Sequence, residues 1–258
     1  MVPRPGAGAV PVELAPRPIG GAPMTEAEWL SATDCRPLIA FLREAPNWRK
    51  MRLAGCGCGR RILPFLKDAW VSSLLVAAES AADNQCEQSN VDSILRVNQP
   101  LFDARLPESA QYQGIVGIVF AAAHHPNNRL FETAFWWMSG AAAWEQVPNA
   151  AITVDDWDTP HDPAWRAADV RERVAQLTLF RDIFGNPFRP VAFDPAWRTD
   201  TAVSLARGMY DSREFGAMPI LADALQDAGC EDEQVLTLCS EPGPHVRGCW
   251  VCDLVLGL

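Results

Sequence analysis

The sequence predicts an all-α protein, an irregular multi-helix bundle built as one unit or as two helical subdomains behind a disordered N-terminal tail. Apolar residues recur every three or four positions in several segments, as on one face of a helix. The alternation of apolar and polar residues that marks a half-buried strand is nearly absent. With 258 residues, 48% of them hydrophobic and 21% charged, the chain is large enough to bury a sizeable core.

The N-terminal residues 1–23 are rich in Pro, Gly and Ala and carry few large apolar side chains. Such a segment cannot bury enough surface to offset the entropy of ordering, so we expect a disordered tail. Thr25 and Glu28 have the spacing of a capping box, in which two side chains accept hydrogen bonds from backbone N–H groups at a helix start. Order is therefore expected to begin at Met24.

Strongly apolar segments predict the central helices of an N-terminal helical region, residues 24–147. A helix predicted between Trp48 and Phe65 has an apolar face at helical spacing, formed by Met51, Gly55, Cys58, Ile62 and Phe65. Segments 70–82, 115–123 and 130–144 are apolar nearly all round. That pattern is typical of helices at the centre of a bundle.

An acidic linker, residues 148–161, is the best internal boundary in the sequence. Directly after it, Asp162 followed by proline predicts an N-cap, and Gly185 predicts a C-cap, so a long helix is expected over 163–184. Shorter helices are expected over 201–211, 217–228, 232–239 and 248–256. Together they form a C-terminal helical region, residues 162–258.

The composition argues against three classes of protein, namely basic nucleic-acid-binding proteins, membrane-spanning proteins and disulfide-rich secreted proteins. Lys and Arg number 22 against 32 Asp and Glu, a net charge of −10, which argues against a wholly basic nucleic-acid-binding protein. No apolar stretch approaches the roughly 20 residues that cross a bilayer, so we expect no membrane partner. Eight cysteines are too few for a disulfide scaffold, and prolines interrupt any signal-peptide core in the tail. We expect a cytoplasmic protein.

Several C-terminal motifs are distinctive in combination. They are Gly185-Asn186-Pro187-Phe188-Arg189-Pro190, Leu221-Ala222-Asp223-Ala224-Leu225 with Ala228-Gly229-Cys230, and His245-Val246-Arg247-Gly248-Cys249-Trp250. With them, and with its start at residues 24–30, the chain resembles an uncharacterised helical protein family of planctomycete-type bacteria. No activity is attached to that family, so the resemblance implies none. At the position of Cys252 the family often has valine, and at the positions of residues 54–59 it has a cysteine-rich run. These departures weaken any site that needs Cys252.

Cysteine spacing suggests a structural zinc site. Cys249 and Cys252 have the two-residue gap with which two thiolates bind one tetrahedral ion. Candidates to complete the site are His245, Cys239, Cys230 and the pair Cys56 and Cys58. The alternative interpretation is that all these cysteines are small buried hydrophobes.

Cys56 and Cys58 can contribute a second pair of ligands only if the glycines around them break the helix. Residues two apart on a continuous helix point to different faces. If the helix is continuous, we expect Cys58 in the core and Cys56 facing outward near Arg49 and Arg60.

A metal-dependent phosphohydrolase is the enzyme alternative. The order of ligands in all-α enzymes of that class is matched by His124 or His125, then His161 and Asp162, then Asp194 or Asp200. The local sequence argues against it, because the proline after Asp162 makes that residue an N-cap and His124-His125-Pro126 is typical of a helix end.

A basic segment, residues 36–67, carries eight basic residues and one acidic residue, and it suggests contact with nucleic-acid phosphates. The candidate binding residues are Trp48, Arg49, Lys50, Arg52, Arg60, Arg61 and, outside the segment, Arg247. The alternative is a face that pairs with acidic residues of the same molecule, such as those of 227–233. Because no catalytic motif stands out, we expect a protein-interaction or regulatory module with a protein partner, leaning away from an enzyme.

Overall fold

The computed structural model describes residues 24–44, 47–104, 110–124, 130–147 and 162–258, and the regular structure in these ranges is entirely helical. The all-α prediction is therefore confirmed. The expected tail at 1–23 and the acidic linker at 148–161 both lie outside the described residues. None of the helices in the described ranges is long and apolar enough to span a membrane.

The described ranges contain twelve α-helices joined by short 3₁₀ turns and one π-helical turn at 119–123. They are α1 (Glu26–Ser31), α2 (Cys35–Leu42), α3 (Trp48–Ile62), α4 (Ala69–Ala82), α5 (Gln88–Asp103), α6 (Ala110–Ile118), α7 (Phe131–Gln146), α8 (Pro163–Phe184), α9 (Asp200–Ser212), α10 (Met218–Asp227), α11 (Glu233–Ser240) and α12 (Trp250–Leu256). Most follow the predicted segments. The sequence analysis did not predict α2, which is short, or α5, which is polar and contains Pro100.

Capping residues determine where the first helix and the longest helix begin. The Glu28 backbone N–H donates to the Thr25 hydroxyl and the Thr25 N–H donates to the Glu28 carboxylate, which confirms the capping box. Asp162 accepts two backbone hydrogen bonds at the start of α8, and Gly185 ends the same helix with a positive φ of 66°. α8 thus places residues near 182 at a fixed position beside the C-terminal helices.

The buried apolar residues form two main cores. The first core surrounds α3 and draws on α1 to α8, whereas the second core lies among α9, α10, α11 and α12. We call α9 to α12 and the loops between them the C-terminal unit. Because Leu177, Phe180 and Ile183 belong to the first core, the two cores divide after α8, although the sequence pattern put its boundary before that helix.

Helix α3 is buried all round, since it contacts α4, α6, α7, α8 and the π-helical turn. Its glycines do not break it, so Cys56-Gly57-Cys58 lies within one continuous helix. Cys58 is in the core as expected, but the expectation that Cys56 faces outward is wrong. Cys56 is 1% exposed, because neighbouring helices cover every face of α3.

Gly55 allows α3 and the π-helical turn to approach closely. A Cβ at this position would lie 2.2 Å from the carbonyl oxygen of Ala121, a backbone atom that cannot move aside alone. We expect Gly55→Ala to lower the free energy of unfolding by about 3 kcal/mol through overpacking.

Gly208, exposed within α9 with no atom within 4 Å of an added Cβ, supplies the matched control. Gly208→Ala should raise the free energy of unfolding by about 0.5–1 kcal/mol, because alanine favours the helix. Urea unfolding of both variants measures the difference. Equal stability of the two variants would contradict the close contact.

Candidate metal centre

Buried ion pairs join the C-terminal unit to α3 and α4. Arg49 on α3 donates from Nη1 to Asp253 Oδ2 at 2.7 Å and from Nε to Asp83 Oδ1 at 2.7 Å. Arg247 donates from Nη2 to Asp83 Oδ2 at 2.8 Å and lies over the Tyr210 ring at 4.8 Å. Both carboxylates are 3% exposed, and each has a second cationic partner, since Asp83 pairs with both arginines and Asp253 also lies 3.7 Å from the Lys50 ammonium.

A second buried carboxylate, Glu79 on α4, accepts hydrogen bonds from two arginines. Arg60 donates to it from Nε and, at 2.9 Å, from Nη2, and Arg213 donates from Nε at 2.7 Å. Arg213 follows α9 in the left-handed region, with φ 64°, a conformation that usually favours glycine. The contact with Glu79 holds the arginine side chain there across the boundary between the two cores.

These pairs show where the basic segment 36–67 lies in the fold. Arg61 pairs with Glu172 on α8, and the Lys50 ammonium donates to the Ile183 carbonyl at 2.8 Å. Trp48 and Arg52 are half-buried. The acidic residues paired with this segment are Asp34, Glu79, Asp83, Glu132, Glu172 and Asp253, and none of these ion pairs involves the residues of 227–233. Nucleic-acid binding by this segment would require several of these intramolecular pairs to open.

Next to the ion pairs, three side chains with metal-ligating atoms converge. The ligand atoms of Asp182, His245 and Cys249 all lie within 4.8 Å of one another. His245 Nδ1 is 2.7 Å from Asp182 Oδ1, and the Val246 N–H donates to Asp182 Oδ2 at 3.1 Å. The side chains of Asp182 and His245 are 4% and 6% exposed, and Cys249 is fully buried.

The chain folds locally to bring these residues together. Asp182 lies in the last turn of α8, His245 lies in the loop after α11, and Cys249 is the N-cap of α12. Between the last two, Gly248 has φ 92°, and a Cβ there would lie 2.9 Å from the Leu53 side chain. A glycine thus lets the loop turn sharply and pack against α3.

Burial and neighbouring charges determine the protonation states of His245 and Cys249. Burial alone would lower the pKa of His245, but hydrogen bonds to Asp182 and Cys249 and the nearby negative charge raise it to about 10. Burial raises the pKa of the Cys249 thiol well above its ordinary value. Without metal, the group is therefore an imidazolium that donates to a carboxylate, beside a neutral thiol.

The donor set suits zinc, which binds thiolate, imidazole and carboxylate together. Tetrahedral zinc would hold such atoms about 3.3–3.5 Å apart, a separation between the 2.7 Å and the 4.8 Å found here. A metal would need neutral imidazole and a thiolate, so its binding would release protons from both groups. We call Asp182, His245 and Cys249 the metal centre below.

The structure brings together part of the predicted zinc site. Cys249 and His245 meet, but Asp182 joins them instead of a second cysteine pair. Cys252 donates to Met218 Sδ at 3.7 Å. The remaining candidates, Cys230 and Cys239 in the second core and Cys56 and Cys58 in the first, lie outside the metal centre and are buried.

The sequence analysis did not identify Asp182 as a ligand. One signal was present, because Asp182 lies on the buried side of α8 between Phe180 and Ile183, where an acidic residue needs a partner. The pattern could not name that partner, since His245 is 63 positions further along the chain.

Asp162 and His124, two residues of the phosphohydrolase hypothesis in the described part of the chain, make local contacts within their own segments. The Asp162 carboxylate caps α8, and His124 Nδ1 lies 3.0 Å from the Val119 carbonyl while its ring stacks on Phe120. His125 and His161 lie outside the described residues.

No family model and no curated protein matches the sequence, and no solved structure matches the fold. The interpretation of the metal centre therefore depends on its own geometry.

The raised pKa of His245 predicts how the metal-free protein responds to pH. Its pairing with Asp182 stabilises the fold fully below the unfolded histidine value, about 6.5, and this contribution disappears as pH rises through about 10. In the presence of a chelator, the free energy of unfolding should fall over that interval.

His245→Gln should flatten this fall, because the titrating group is absent. The matched control is His124→Gln, which changes a histidine outside the metal centre and should keep the wild-type slope. Urea unfolding at several pH values measures both variants. An identical slope in His245→Gln and wild type would contradict the pairing.

Proposed function

We propose that the protein is a helical interaction module rather than an enzyme, and that a structural zinc ion held by Asp182, His245 and Cys249 fastens its C-terminal unit to α8. One observation carries the zinc site: three ligating atoms from three separate elements meet within 4.8 Å in a buried position. Structural zinc sites are closed by protein ligands, whereas catalytic sites keep one position open to water or substrate.

The location of the metal centre supports a structural role. Asp182 belongs to a helix of the first core, while Cys249 begins a helix of the second core. Only a few contacts connect α8 with α12 directly. A metal bound to both elements would therefore stabilise the position of the C-terminal unit, and any partner would be bound by the outer surface of the folded protein.

Cys252 is the candidate for the fourth ligand. It lies one helical turn after Cys249, and it is fully buried. A rotation of its side chain away from Met218 would be needed for it to bind the metal. Two thiolates with one imidazole and one carboxylate would complete a tetrahedral set that zinc accepts.

The proposal predicts one zinc ion per chain in protein purified without added metal or chelator. Elemental analysis should find that Cys249→Ser and Asp182→Asn lose this zinc. The control is Cys86→Ser, because Cys86 lies outside the centre and only donates to the Ala77 carbonyl. For zinc at 100 times its Kd, removal of the metal should cost wild type about 2.7 kcal/mol of stability. Zinc-free wild type, or full zinc in Cys249→Ser, would overturn the proposal.

Substitution of cobalt for zinc tests whether the centre is closed. Cobalt-loaded wild type should show the intense visible absorption of tetrahedral coordination and a thiolate charge-transfer band that Cys249→Ser lacks. Addition of azide should leave the visible spectrum unchanged, because no coordination position is open. A spectral change on azide addition would instead indicate an open, catalytic type of site and would favour an enzyme.

A further inference from the structure

A small cavity lies beside the ion pairs, at the boundary between the two cores. Its volume is about 50 Å³, and its lining includes Arg60, Glu79, Arg213, Phe215 and Arg247, with His245 in the wall shared with the metal centre. This volume exceeds the roughly 10–15 Å³ that a single water molecule needs.

Positive charge exceeds negative charge around this cavity. Three arginines line it, but the described lining contains only one carboxylate, that of Glu79. In the wider network, Arg49 joins these arginines, and the carboxylates are Glu79, Asp83 and Asp253. Four guanidinium groups, which stay protonated at any ordinary pH, thus face three carboxylates.

Donor groups are also left over at the cavity. The Nε–H of Arg247, a residue 6% exposed, has no hydrogen-bond partner in the described part of the chain. Among the contacts described, Glu79 uses one of the five N–H groups of Arg213 and two of those of Arg60. An acceptor in the cavity would take hydrogen bonds from the N–H groups of Arg60 and Arg213 that Glu79 leaves unused.

The backbone of Arg213 supports the same conclusion. Residue 213 has φ 64°, in the left-handed region that favours glycine over residues with a side chain. The chain accepts this strain and places a guanidinium at the cavity, although a glycine would end α9 more favourably.

We infer that this cavity binds one tetrahedral oxyanion, either free phosphate or the phosphoryl group of a phosphomonoester. Arg60 on α3, Arg213 after α9 and Arg247 before α12 surround the anion from three elements of the chain. The planar guanidinium fork suits phosphate oxygens, and the bound charge compensates the excess of arginine. The site adjoins the metal centre, because His245 lies in its wall, but the groups proposed to bind the anion are the three arginines.

Isothermal titration calorimetry at constant ionic strength tests the inference, with inorganic phosphate and phenyl phosphate as probes and chloride as the background anion. Wild type should bind phosphate one to one at millimolar concentrations or below. Arg213→Gln should weaken binding by about tenfold or more, because a hydrogen bond to a charged group is lost. Arg207→Gln changes an exposed arginine on the same helix and should bind as wild type does.

A second variant, Arg213→Gly, separates loss of the guanidinium from loss of folding. Glycine favours the left-handed backbone at this position, while the side chain is removed. This variant should stay folded, keep its zinc and lose phosphate binding. Binding of both probes indicates a phosphomonoester ligand, and binding of inorganic phosphate alone indicates the free ion. The inference is overturned if wild type binds neither probe, or if Arg213→Gln and Arg213→Gly bind phosphate as tightly as Arg207→Gln.

Discussion

The arrangement of the whole molecule depends on charge buried at the boundary between its two cores. Asp83 and Asp253 are almost inaccessible to water, and each needs an arginine at one fixed place. Since an unpaired charge in such a position costs several kcal/mol, few alternative placements of the C-terminal unit are tolerated. Apolar packing makes each core, but the ion pairs select how the two cores meet.

This constraint accounts for the two candidate sites. The loop that carries Arg247 to Asp83 also carries His245 and Cys249 to the end of α8, where Asp182 lies. The same pairs gather more guanidinium groups than carboxylates around one cavity. The metal centre and the oxyanion cavity are thus neighbours because a single loop, packed on α3 through Gly248, forms part of both.

Local patterns predicted most helices because capping residues and apolar spacing act over a few positions. Asp162 and Gly185 bounded α8 correctly, and the apolar face of α3 was found. Such local patterns cannot predict contacts between residues that are far apart in the sequence. Cys56 is buried because helices far along the sequence cover α3, and the partner of Asp182 is 63 positions away. The basic segment 36–67 was identified from the sequence, whereas its acidic partners could be identified only from the structure.

Anomalous diffraction at the zinc absorption edge, measured on crystals of protein purified without added metal, tests the central claim most directly. The account predicts one strong peak bonded to Asp182, His245 and Cys249, with the zinc–sulfur distance near 2.3 Å. A map with no peak at this place, in which His245 still bonds directly to Asp182, would contradict the assignment of a metal to the centre.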